Sequence, residues 1–185
     1  MLNISLLADK DMNSLPPVHL WKPEFCGDMD MLIKTNGEWM HEGEVLTRSA
    51  MVKMFSRILW YENDEYFLVT PVEKVRIQVE DAPFLVTQFQ IKTHKKDGLD
   101  YIEFLTTAED KLVLGQDGCT LWMDNFKGQP QPYISMRYGM KALLHRHVFY
   151  DLVEQGAIHS IDEQQHLCIR SGNDVFSLGE VNESF

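Results

Sequence analysis

Cysteine is scarce in this chain and scattered: Cys26, Cys119 and Cys168 lie far apart, are odd in number and form no C-x-x-C pair. That usage argues against a disulfide framework and suits a reducing compartment. Basic charge is also short, with 17 Lys and Arg against 28 Asp and Glu and a formal net charge of -11. Duplex nucleic acid and anionic membranes are approached by basic patches, so neither is expected as a partner. The one basic cluster, His94-Lys95-Lys96, reads as a solvated hairpin tip. No apolar run approaches the roughly 18 residues of a membrane span. The apolar start, Met1 to Leu7, has no basic flank and stops at Ala8-Asp9-Lys10, too soon for a signal peptide. A soluble, cytoplasmic protein is expected. Short chemical motifs are missing too: there is no G-x-S-x-G, no glycine-rich phosphate loop and no H-E-x-x-H. No cofactor is implied by what remains.

What is present is apolar material in alternating runs. With 185 residues, 44% hydrophobic and 11% aromatic, the chain can bury a substantial core. Residues 1–17 read as an arm, because Pro16-Pro17 forces an extended path. From His19 to Asp30, Trp21 and Phe25 anchor an ordered loop. Cys26, Asp28 and Asp30 invite a metal reading, but alternate aspartates without a histidine at zinc-like spacing fit the solvent face of a strand better. Met29, Met31 and Ile33 then alternate with charged residues, and Asn36-Gly37 predicts a hairpin returning at Trp39. Met51, Met54, Phe55, Ile58 and Leu59 have helical spacing, capped by Thr47 or Ser49.

Further on, Phe84 to Thr93 and Leu99 to Thr106 read as a long hairpin, and Lys111 to Leu114 with Cys119 to Met123 as a second. The prolines between Asn125 and Pro132 read as loop, delaying a helix until about Ser135. That helix, 136–155, carries apolar residues around most of its circumference, so it is buried on several sides or breaks near Arg146. Two residues apart on a helix, His145 and His147 would project about 160° apart and could not share a metal ion. A final hairpin turns through Ser171-Gly172-Asn173-Asp174, and Gly179 to Phe185 reads as a frayed tail. The two halves echo one another in the order hairpin, helix, strand. The fold class expected is α+β and β-rich: two small roll-like subdomains of antiparallel hairpins, 18–80 and 81–185, with one main helical region each.

The charged stretch Thr70 to Phe84 attracts the functional interest. As a strand it sets Val75, Ile77 and Val79 on one side and Lys74, Arg76, Gln78 and Glu80 on the other, solvated side. Glu73 and Asp81 then bracket the apolar side, where an ionised carboxylate is costly unless paired.

Three runs, Pro16 to Met31 (P-P-V-H-L-W-K-P-E-F-C-G-D-M-D-M), Asn36 to Gly43 (N-G-E-W-M-H-E-G) and Tyr66 to Phe84, resemble an uncharacterised bacterial family, domain of unknown function 1285. Val148 to Val153 and Phe176 to Gly179 extend the likeness more loosely, with Ser177 where relatives tend to have proline. The resemblance implies a bacterial, cytoplasmic, two-part α+β protein without an assigned reaction. Its motif falls on Arg48, Glu73, Lys74, Glu80 and Asp81.

The reading that follows is a small-molecule-sensing or interaction module in signalling. Its pocket is expected between the two halves, lined by His19, Trp21, Arg48, Glu73, Lys74 and Asp81, with an unknown small molecule or protein as partner. An enzyme with Glu73 or Asp81 as general base and Lys74 or Arg76 holding an anion is the alternative, and the absent motifs weigh against it. A purely structural charge network is the third.

Overall fold

The structure, a computed structural model, describes residues 15–181. Positions 1–14 of the expected arm and 182–185 of the expected tail lie outside the described residues. Two compact units are present: the first reaches Pro83 and also takes in Tyr138–Met140, and the second holds Phe84–Arg137 and the chain from Lys141 onward. Both are sheet-rich with few helices, the expected α+β architecture.

In the first unit the alternation of Met29, Met31 and Ile33 becomes β1 (Phe25–Ile33), with Met31 and Ile33 buried. Asn36-Gly37 turns it into β2 (Trp39–His41), the hairpin the sequence predicts. Gly37 takes a φ of 84°, and the Asn36 side chain accepts the Glu38 amide at 3.0 Å. A short β3 (Glu44–Val45) precedes α1 (Ser49–Arg57). Its cap differs from expectation: Arg48 is the N-cap, in extended conformation, with no side-chain capping bond. Phe55 of α1 stacks on Trp39 at 6.2 Å between ring centres.

The helical spacing through Leu59 overruns the real helix. Leu59 instead opens β4 (Leu59–Glu62), which pairs with β5 (Glu65–Val69) across Asn63 and Asp64, both at positive φ. That tight turn and its four paired residues outweigh one more turn of helix. The last strand, β6 (Lys74–Val79), is antiparallel to β5 and parallel to β1, giving the order β3-β2-β1-β6-β5-β4.

The second unit opens with the expected long hairpin, β7 (Phe84–Thr93) and β8 (Asp100–Thr106), followed by β9 (Lys111–Val113). The expected second hairpin does not form. β9 pairs with β8, whereas β10 (Leu121–Phe126) pairs with β11 (Gln129–Ser135) through Lys127-Gly128. The stretch read as loop is therefore strand. Pro130 and Pro132 are tolerated because β12 (Lys141–Leu144) pairs only with Tyr133 to Ser135, so the prolines lie where β11 has one neighbour.

The helix predicted over 136–155 is reduced to α2 (Arg146–Glu154), because Lys141–Leu144 are drawn into β12, parallel to β7, with Ala142 and Leu144 buried. His145 is the extended N-cap of α2, not a helical residue, so its ring comes within 4.4 Å of the His147 ring instead of pointing away. Three closing strands, β13 (Ala157–Ile161), β14 (Gln164–Ser171) and β15 (Asp174–Glu180), form a separate sheet. Gly179 and Glu180 thus belong to a strand, not to a frayed tail.

The internal echo is real in a different form. The second large sheet has the order β10-β11-β12-β7-β8-β9. In each sheet two three-stranded meanders meet along one parallel pair, made by the first strand of the first meander and the last strand of the second. The helices do not repeat: α1 lies between the meanders of its sheet, and α2 follows both of its own.

Candidate functional site

The face of the first sheet that carries Lys74 and Arg76 is the face the sequence reads as solvated. Residues directly opposite on neighbouring strands share a face, so Trp60, Phe67 and Arg76 stand together, as do Val69 and Lys74. Over this face runs the segment after Pro16-Pro17. The two prolines set it up as a 3-10 turn, Val18–Leu20, closed by the Leu20 amide on the Pro17 carbonyl at 3.0 Å and the Trp21 amide on the Val18 carbonyl at 3.0 Å. Val18, 2% exposed, packs against Phe67 and Val69, with Trp21, Trp60 and Tyr138 around them.

Beside this small core is a hollow of about 300 Å³ lined by Val18, His19, Trp21, Lys22, Pro23, Trp60, Glu62, Val69 and Lys74. Its polar floor is an ion pair. The Lys74 ammonium bonds Glu62 and sits 4.1 Å above the centre of the Phe67 ring, while the Trp60 indole N–H donates to the other Glu62 oxygen at 2.9 Å. Lys74 first and Trp60 second hold the Glu62 carboxyl below the usual carboxylate range. Tyr138, at a left-handed φ of 57°, backs the site with its ring centre 4.9 Å from that of Trp60 and 6.1 Å from His19.

Of the six residues the sequence marks, the structure brings His19, Trp21 and Lys74 together in this hollow. Arg48 is elsewhere, exposed at the start of α1. Glu73 sits in the turn before β6, where its carbonyl accepts the Thr70 amide at 2.8 Å and its own amide donates to the Thr70 hydroxyl at 3.0 Å. Asp81 is 9% exposed beyond the end of β6. Burial, then Tyr61, then Asp81 push the Tyr66 hydroxyl well above the usual tyrosine range. None of the three lines the hollow, which lies within the first unit. Trp60, Glu62 and Lys22 are lining residues the sequence reading missed. Parity in L-W-Y-E would have put Trp60 and Glu62 on one face, had that run been read as a strand. Nothing in the sequence announces Tyr138.

A second polar group occupies the same sheet. Arg76 makes a bidentate pair with Asp28 at 2.8 and 3.0 Å and reaches Glu65 at 2.5 Å, lowering the Asp28 carboxyl. Asp28, which the sequence offers as a metal candidate, is thus committed to a guanidinium. Among the described residues, no group of three His, Cys, Asp or Glu side chains is placed to share a metal ion. No helix of the described chain is long and apolar enough to cross a membrane.

Compared with known proteins, residues 16–82 match the N-terminal domain of the domain of unknown function DUF1285, and residues 83–178 match the C-terminal domain of the DUF1285 proteins. A DUF1285 family protein from Silicibacter pomeroyi DSS-3 superposes with a TM-score of 0.81 at 38% identity, over 96% of this chain and 93% of that one. Another, from Shewanella baltica OS155, gives a TM-score of 0.52 at 29% identity, over 68% of this chain and 91% of that one. No curated protein of assigned function matches.

Proposed function

This chain belongs to the DUF1285 family, and from its geometry we propose that it is a recognition module that senses a small molecule bound in the hollow beneath Val18 to Pro23. One observation carries the reading: two indoles wall a space whose floor is an ion pair already made. Ligand sites are concave and mostly apolar with a few placed polar groups, and about 300 Å³ is at the small end of their range. The state of Glu62 favours recognition over catalysis. A carboxylate bonded by both Lys74 and Trp60, with its proton affinity lowered, is poorly matched to general base work near neutral pH. Signalling is the setting in which such a module would act.

A thermal-shift screen of fragment-sized aromatic compounds tests this. A ligand present at about a hundred times its dissociation constant should stabilise the protein by about 2.7 kcal/mol. The shift is expected to vanish in Trp60→Leu and to persist in Trp122→Leu, whose indole lies in the second unit. No hit from a broad library, or hits indifferent to Trp60→Leu, would instead favour the charges as a structural network.

A further inference from the structure

The charge around the hollow runs against the charge of the chain. Two lysines and one glutamate line it, whereas acids outnumber bases 28 to 17 overall. The single glutamate is already paired. One Glu62 oxygen accepts from Lys74 and the other from the Trp60 indole at 2.9 Å, so its charge is offset and the lining keeps the positive charge of Lys22. The lysines also have N–H donors left. An ammonium has three N–H donors, and Lys74 shows one hydrogen bond, to Glu62, with the Phe67 ring beneath it. Its side chain is only 18% exposed, so water competes weakly for the donors that are left. Lys22 makes no ion pair among the described residues. The apolar walls, Trp21 and Trp60, suit a flat body laid against their faces.

Resting on the binding role just described, we propose that the hollow selects an aromatic monocarboxylate of fragment size, with Lys74 and Lys22 taking the carboxylate and Trp21 and Trp60 the ring. The competing expectation is a cation held over the indole faces. Here it would enter beside two ammonium groups while the only carboxylate is engaged. The site therefore reads sign as well as shape.

Three compounds sharing one ring separate these outcomes by isothermal titration of the full chain: indole-3-acetate, 3-methylindole and tryptamine. Indole-3-acetate is expected to bind about tenfold or more tightly than 3-methylindole, the factor a charge-assisted hydrogen bond supplies, and tryptamine most weakly. Lys74→Met should erase the advantage of the acid over 3-methylindole. Lys22→Met, at an exposed position, should reduce the same advantage if Lys74→Met fails to fold. Equal affinities for the acid and 3-methylindole would overturn the charge selection and leave the binding role standing. Tightest binding by tryptamine would overturn it in favour of the cation. If none of the three binds, the ligand class proposed here is wrong, and the broad screen alone then decides whether the hollow binds anything.

Discussion

Phe67→Ala is expected to lower the unfolding free energy of the first unit by about 3–5 kcal/mol, the range for deleting a buried aromatic ring, and to abolish binding in the hollow. Phe67 is 5% exposed and holds four things at once. Val18 and Val69 pack against it, the Phe25 ring meets it edge-on at 6.2 Å, and the Lys74 ammonium rests 4.1 Å above its centre. Removing the ring opens a cavity under the Pro16 to Pro23 segment and takes away the surface that positions Lys74. Phe67→Leu, which keeps most of the apolar volume, should lose less stability but still weaken binding, because the ring face under the ammonium is gone. Urea denaturation with a parallel binding titration reads both effects. A stability loss below about 1 kcal/mol in the alanine variant would show that this face is not packed as described.

The second large effect lies in the other unit and concerns one hydroxyl. Ser171 is 0% exposed at the end of β14; its oxygen accepts the Ile102 amide at 3.1 Å and its hydroxyl donates to the Leu114 carbonyl at 2.7 Å. Ser171→Ala leaves both main-chain groups buried without that partner, at about 1–3 kcal/mol each before relaxation. A total loss of about 2–4 kcal/mol is expected, measured by chemical denaturation. Ser171→Cys, close in size but a weak hydrogen-bond former, should recover little. The neighbouring Gly172 explains why the turn cannot easily rearrange: its φ is +60°, and a Cβ there would lie 2.4 Å from the Tyr101 ring.

Local chemistry was the legible part of this fold. Asn36-Gly37 predicts its hairpin because few residue pairs tolerate the backbone that such a turn needs, and the closing turn at Gly172 is readable for the same reason. The misreadings share another cause, pairing between segments distant in sequence. Lys141 to Leu144 have helical spacing, but Phe84 to Val86 recruit them into a parallel strand. Leu59 fits the α1 stripe, yet Asn63 and Asp64 fold L-W-Y-E back onto Glu65 to Val69.

The same misreading hid half of the candidate site. With the helical stripe running through Leu59 and no strand read over Trp60 to Glu62, Trp60 and Glu62 have no face to share with Lys74. Glu73 and Asp81 stand out instead, because their cost of burial can be argued from parity alone. His19 and Trp21 were within reach because Pro16-Pro17 and the aromatic anchors mark an ordered segment. What they pack against depends on the sheet beneath.

Four tryptophans give the most direct test, since each has one indole N–H signal in a nitrogen-edited NMR spectrum. Trp21 and Trp60 line the hollow, Trp39 is buried against Phe55, and Trp122 stacks on Tyr133 in the second unit. Titration with indole-3-acetate, and separately with 3-methylindole, is expected to move the Trp21 and Trp60 signals in a saturable way and to leave those of Trp39 and Trp122 in place. Signals of Trp21 and Trp60 that stay fixed, or a response centred on Trp39 or Trp122, would contradict the assignment of this hollow as the binding site.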